Sequence, residues 1–459
     1  MANLTPQPGS LSLEGMHSSV AVPPHQAGFW EQWRAFVGPA VLVSVGYMDP
    51  GNWGTDLQAG AQFKYGLLWV VGIASIMAIF MQVISARLGV VTGKDLAQAC
   101  RDWYPAWTRW PNWLFSESAV AACDLAEVLG SAVALNLMFH IPLLWAVIIT
   151  GVDVLLLLGL QGFGMRTIEA VVLLLVFTIA VCYYIEIFIL PQTKPRFLEL
   201  AGGLVPQFHH AGMIYVAIGI IGATVMPHNL YLHSALVQSR RLQQDEQSMR
   251  RAVQFNTIDS TVALTLAFFV NAAILVLAAM VFFGKESVTT LGGQVVHFSA
   301  DSDWIRVAYL TLAPLLGTAL ASTLFAIALL ASGQSSTITG TLAGQVVMEG
   351  FMRWRIKPWV RRLITRTLAI LPAVIVIGLR GDSSVTDLLI LSQVVLALQL
   401  PFAMFPLLLF TGSRERMGAW RNGWFLTIAG WTSAILITAM DIYGLPESVR
   451  TAWHIVVGR

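Results

Sequence analysis

Residues 38–57 read GPAVLVSVGYMDPGNWGTDL, and residues 215–236 read YVAIGIIGATVMPHNLYLHSAL. Each is an apolar run interrupted midway by a proline among polar neighbours: Asp49, Pro50, Gly51 and Asn52 in the first, Met226, Pro227, His228 and Asn229 in the second. Proline lacks an N–H and its ring clashes with the preceding turn, so each helix should unwind there and leave carbonyls without partners. In hydrocarbon, such backbone persists only where it lines a cavity or is buried in protein. Interrupted segments at corresponding places in two halves of a chain point to a transporter's binding site.

Composition supports a bilayer setting. Of 459 residues, 56% are hydrophobic and 11% charged, and mean hydropathy is +0.69. A soluble globular protein carries about 25% charged residues, so this is an integral membrane protein. A net charge of +2 provides no basic field for nucleic acid. Cys100, Cys123 and Cys182 lie within or beside apolar runs, which excludes a disulfide framework or a CxxC metal site. Residues 1–30, rich in Pro, Ser and His, are expected to form a disordered cytoplasmic tail rather than a signal peptide.

A span needs about 20 mainly apolar residues. That window yields an all-α chain with eleven expected spans, at 36–58, 66–90, 112–138, 142–160, 168–190, 212–238, 253–283, 309–346, 363–380, 385–411 and 423–443. The spans form a single domain over 31–459, with repeat one at about 36–190, repeat two at about 212–411 and one extra helix. Five spans per repeat is an odd number, so the second repeat must be inverted relative to the first. Most of the 27 basic residues, including Arg240, Arg241, Arg361, Arg362 and Arg366, fall on the side that carries the N-terminus. By the positive-inside rule the N-terminus is expected in the cytoplasm and the C-terminus outside. The expected location is a bacterial plasma (inner) membrane.

An ionised Asp49 in mid-membrane requires a cationic partner. The Asn52 amide oxygen can reach the same point once the helix unwinds, Met226 offers a thioether sulfur, and freed carbonyls at Gly46 and Ala223 could complete the shell. Oxygen donors alone suit Mg²⁺ or Ca²⁺, whereas sulfur favours softer ions. The set therefore points to Mn²⁺ or Fe²⁺, with Cd²⁺, Co²⁺ and Zn²⁺ admitted as well.

DPGN at Asp49–Asn52 and MPHN at Met226–Asn229 resemble the paired signatures of the NRAMP family of divalent metal transporters. The resemblance implies a LeuT-like fold and proton-coupled uptake of Mn²⁺ or Fe²⁺. It places the metal on Asp49, Asn52, Met226 and the carbonyls of Gly46 and Ala223, and makes Gln393 in span 10 a candidate for the occluded shell. Gly46 departs from the family, where many members have Ala. Met226 and Asn52 argue against the magnesium-transporting branch.

Span 3 contains WLFSESAVAACDLAEVLG, in which Glu117, Asp124 and Glu127 share one helical face. They span roughly 15 Å of axis at about 1.5 Å per residue, a stripe suited to relaying protons. His228 is the natural upstream member because imidazole titrates near physiological pH. The resemblance adds Arg361 and Arg362, at the start of span 9, as counter-charges for the proton path. Glu169, Glu186, Asp153 and Asp259 lie nearer span ends, where snorkelling or capping is the default. His233 reads as a packing or hydrogen-bonding residue, Asn271 could line the outer cavity, and the small residues of SGQSSTITGTLAG (332–344) favour tight helix packing.

The expected partners are a divalent metal substrate, protons and the lipid bilayer, with no cofactor, no nucleic acid, and a monomer as the expected state. An intramembrane hydrolase is disfavoured because there is no HExxH pair. A Na⁺-coupled amino-acid carrier is disfavoured because Asp49 would repel a substrate carboxylate, and the absence of a Walker A motif excludes ATP as the driver.

Overall fold

The computed structural model describes residues 17–24, 27–152, 165–189, 196–207, 211–242, 245–289, 293, 295–298, 302, 304–316, 319–354, 356, 358–381 and 385–457. Proline sets where both broken spans restart. Span 1 is a half-helix Pro39–Gly46 (α1), a three-residue break, and a second half-helix Pro50–Phe63 (α2). Span 6 is Ala211–Val225 (α3) and Pro227–Leu236 (α4), with Met226 alone between them. Pro50 and Pro227 each open their half-helix, where the missing N–H costs nothing. Met226 has φ +24°, a conformation that L side chains adopt at a cost and that active and binding sites retain.

Among the described residues nine helices are long and apolar enough to cross a membrane. They correspond to expected spans 2, 3 and 5 to 11. Span 1 is absent from that set because its break leaves two short pieces. Span 4 begins with Leu143–Thr150, and the remainder of its expected range, with Asp153, lies outside the described residues. Several helices overrun their expected bounds: span 7 is Glu246–Val281, span 9 is Pro358–Arg380 and span 11 is Trp424–Val457. Their extra turns are polar or mixed, so an apolar window cannot see them.

Both broken spans run through the centre of the molecule. The half-helices of span 1 pack on span 7, those of span 6 on span 2 (Leu68–Thr92) and span 10 (Val385–Gly412), and span 3 (Arg109–Phe139) packs on span 8 (Ala319–Met352). Span 3 passes the first break so closely that a Cβ at Gly130 would lie 2.2 Å from the Pro50 ring. That approach brings the span 3 acids beside the break.

The stretch expected to be disordered departs from that reading at one place. Val20–Ala21 forms a short parallel strand pair with Arg240–Arg241, and Ser18 N–H donates to the Gln238 carbonyl at 3.0 Å. A helix, Phe29–Phe36, then leads into span 1. The composition of a tail cannot show that span 6 ends in an unpaired backbone edge able to receive it.

Candidate metal centre

Asp49, Asn52, Met226, Ala223, His228 and Gln393 are all at most 1% exposed. Asp49 caps α2, its Oδ1 accepting from Asn52 N–H at 2.8 Å. The Asn52 Nδ2 lies 2.8 Å from Asp49 Oδ1, 3.0 Å from the Ala223 carbonyl and 3.5 Å from the Gly46 carbonyl. Three oxygens from the two broken helices therefore converge on one point, and Asp49 Oδ2 has no hydrogen-bond partner there.

The Asn52 amide faces opposite to the expected sense. Its nitrogen points to the three oxygens, while its Oδ1 accepts from Asn271 Nδ2 at 3.3 Å and from the Thr224 hydroxyl at 3.4 Å. The reason is local: converging acceptors favour the two N–H donors of an NH₂ group over a fourth oxygen. A cation held by the same oxygens would require the amide to turn so that Oδ1 faces the ion. The Thr224 hydroxyl, which can accept as well as donate, would then receive the NH₂.

The freed carbonyls of the first break are otherwise occupied. Tyr47 O accepts from Asn271 Nδ2 at 2.7 Å, and Met48 O from Ser332 Oγ at 2.5 Å and Trp53 Nε1 at 3.2 Å. Asn271 thus supports the site from span 7. Gln393 Nε2 donates to Ser392 Oγ at 2.9 Å, and its amide packs on the backbone of Gly51, one residue from Asn52. Among the described residues no cluster of three or more His, Cys, Asp or Glu converges. One carboxylate stands here beside backbone carbonyls and a side-chain amide, with the Met226 thioether in the adjoining break.

The three span 3 acids each face a basic residue of span 9. Arg361 Nη2 donates to Glu117 Oε1 at 2.7 Å, Arg362 Nη1 to Asp124 Oδ1, and Arg362 Nη2 to Glu127 Oε2 at 3.5 Å. Arg366, which carried no role in the sequence reading, stands 3.8 Å from Glu127 Oε2. Its signal was present, since it lies four residues after Arg362 and so on the same helical face. Gly340 and Gly344 of span 8 provide the room, for a Cβ would lie 2.7 Å from Glu127 Oε1 at the first and 2.1 Å from the Arg361 guanidinium at the second. Neither imidazole nitrogen of His228 has a hydrogen-bond partner. His233 Nδ1 instead meets Gln82 Oε1 at 2.9 Å, and Gln82 Nε2 donates to the Tyr47 hydroxyl at 2.7 Å.

Both ends of span 1 are tied down. At the end where the chain starts, Arg240 donates to the Ala35 carbonyl at 3.0 Å, the Val37 carbonyl at 2.7 Å and Glu169 Oε1 at 2.9 Å. Arg166 binds the other Glu169 oxygen at 2.9 Å, and Asp259 Oδ2 accepts from Ala40 N–H at 3.0 Å. Glu169 is therefore a buried ion-pair partner and not a snorkelling residue, while Asp259 does cap a helix, though that of span 1. Glu186 is likewise fully buried, on the π-helical turn Ile185–Ile189. At the far end Lys64 meets Glu199 at 2.7 Å beside a cavity of about 460 Å³ lined by Tyr65, Gln207, Met213 and Phe283. Hydrogen bonds from Lys64 and then Arg196 hold the Glu199 carboxyl below the usual carboxylate range.

A family model described as natural resistance-associated macrophage protein-like, Nramp, matches residues 40–447. The chain is 48% identical over 451 residues to the divalent metal cation transporter MntH of Nostoc sp., covering 97% of this chain and 98% of that one. It is also 48% identical to the MntH of Bradyrhizobium diazoefficiens, covering 97% and 96%. The crystal structure of the Eremococcus coleocola manganese transporter with an aromatic bis-isothiourea substituted compound matches at TM-score 0.84 and 38% identity, over 95% of this chain and 91% of that one. MHP1, a nucleobase-cation-symport-1 family transporter, matches at TM-score 0.58 and 12% identity and shares the fold alone. The architecture is LeuT-like.

Proposed function

The chain belongs to the Nramp family, and from that premise we propose that it takes up divalent transition-metal ions, Mn²⁺ or Fe²⁺ first, by proton-coupled alternating access. It is a multi-pass membrane transporter and not an enzyme. The observation that carries the reading is the convergence of Asp49 Oδ1 with the Ala223 and Gly46 carbonyls around the Asn52 amide, at the junction of two broken helices. In this reading Asp49 supplies the charge, Asn52 turns its oxygen to the ion, and Met226 adds the soft donor. Gln393 closes over the ion when the half-helices tighten.

The clasp of Arg240, Glu169 and Arg166 at the start of span 1 then acts as the cytoplasmic gate, and the basic residues around it fit the positive-inside rule. Proton transfer runs from His228 to Asp124 and Glu127 and on past Glu117, with Arg361, Arg362 and Arg366 as counter-charges. Support for this route is the set of acid–Arg pairs between spans 3 and 9, on the helix that passes the first break.

Uptake of Mn²⁺ into proteoliposomes under an inward proton gradient tests the proposal, and no uptake with folded protein would refute it. Met226→Ala should retain Mn²⁺ uptake at reduced rate while Ca²⁺ and Mg²⁺ become effective competitors, because the remaining donors are all oxygens. A variant that excludes Ca²⁺ as well as the parent does would remove the sulfur from the selectivity argument. His228→Ala should flatten the pH dependence of uptake and leave Mn²⁺ affinity little changed. An unaltered pH profile with intact uptake would take His228 off the route.

A further inference from the structure

Asn229 joins the two breaks at the sulfur. Its Nδ2 donates to Met226 Sδ at 3.5 Å and to the Val43 carbonyl at 3.4 Å. That carbonyl lacks its usual helical donor because the N–H four residues on, at Tyr47, turns back to Ser44 instead. One amide nitrogen has two hydrogens, so it can serve both acceptors at once. The side chain is fully buried, and its Oδ1 has no hydrogen-bond partner.

The amide occupies this place because residue 46 is glycine. A Cβ there would lie 2.3 Å from Asn229 Nδ2 and 3.2 Å from Met226 Sδ. The first distance is below any real contact, and the far end of a flexible side chain is what would give way. Alanine at 46 would therefore displace the amide and leave the backbone in place.

We propose that Asn229 is a positioning residue for the thioether of Met226, and that Gly46 is the seat that admits it. Methionine has three rotatable bonds and a sulfur that packs in many directions. A thioether sulfur has two lone pairs, and holding one with an N–H leaves the other available to the ion. Fixing the sulfur before the ion arrives lowers the ordering cost of binding. The benefit falls on ions that bind sulfur well, so Asn229 acts on selectivity more than on affinity as a whole. This inference rests on the reading of Met226 as a metal donor.

The test is calorimetric titration of the purified full chain with Cd²⁺ and with Mn²⁺, each as the metal alone. Asn229→Ala should lower Cd²⁺ affinity by about five- to tenfold, the worth of one hydrogen bond, with Mn²⁺ changing much less. Gly46→Ala should shift the ratio of the two affinities in the same direction. In a Met226→Ala background Asn229→Ala should no longer change that ratio. An equal fall for both ions, or a ratio shift that persists without Met226, would overturn the positioning role. A parent chain that binds neither ion would instead remove the metal-donor reading on which it rests.

Discussion

Asp49→Ala should abolish measurable Mn²⁺ binding in calorimetric titration of the purified protein. Asp49 is the one carboxylate among the converging donors, and the other groups are neutral. Removing one partner of a buried, hydrogen-bonded charge pair costs about 3–5 kcal/mol, which is a loss of at least about a hundredfold in affinity. The variant's stability without metal provides the control. It loses the cap on Asn52 N–H, worth about 1 kcal/mol, and it also loses the cost of burying a carboxylate whose Oδ2 has no hydrogen-bond partner. These effects oppose each other, so the unfolding midpoint should change little. Parent-like Mn²⁺ affinity in a folded Asp49→Ala protein would refute the metal centre.

Arg362→Ala should be the most destabilising of the span 9 substitutions. Its guanidinium is 2% exposed and serves Asp124 and Glu127, whose side chains are both 0% exposed. Without it two buried carboxylates are left with Arg366, which stands 3.8 Å from Glu127. The expected loss is about 3–5 kcal/mol, read as a lower thermal unfolding midpoint in detergent. Adding Asp124→Asn and Glu127→Gln should recover much of that loss, because neutral side chains need no counter-charge, while the pH dependence of uptake should flatten as the two acids are removed. Glu199→Gln is the comparison: its pair with Lys64 is 35% and 42% exposed, and such surface pairs contribute little to stability. The network reading fails if the two acid replacements give no recovery, or if Glu199→Gln destabilises as much as Arg362→Ala.

The two breaks were legible in the sequence because proline acts on its own backbone within one turn, whatever surrounds it. The stripe of Glu117, Asp124 and Glu127 was legible for a similar reason, since helical period alone places the three on one face. What each carboxylate meets was not legible. Glu127 and Arg362 are 235 residues apart in the chain, and Arg240 and Glu169 are 71 apart. No local pattern couples such positions, so Glu169 read as a span-end residue and Arg366 carried no role beyond its place among the basic residues on the N-terminal side. Asp259 caps span 1 through an N–H 219 residues earlier, and Val20–Ala21 pairs with an edge that exists only once span 6 has folded.

Sequence alone determined a membrane-embedded helical protein with two interrupted spans and a stripe of acids on span 3, because apolar runs, missing N–H groups and helical period are properties of neighbouring residues. The tertiary structure decided which way the Asn52 amide faces, which arginine answers which acid, and that glycine at 46 admits Asn229 beside the sulfur. Those outcomes depend on distances of about 3 Å between helices remote in sequence, where one carbonyl more or one Cβ fewer changes which contact forms.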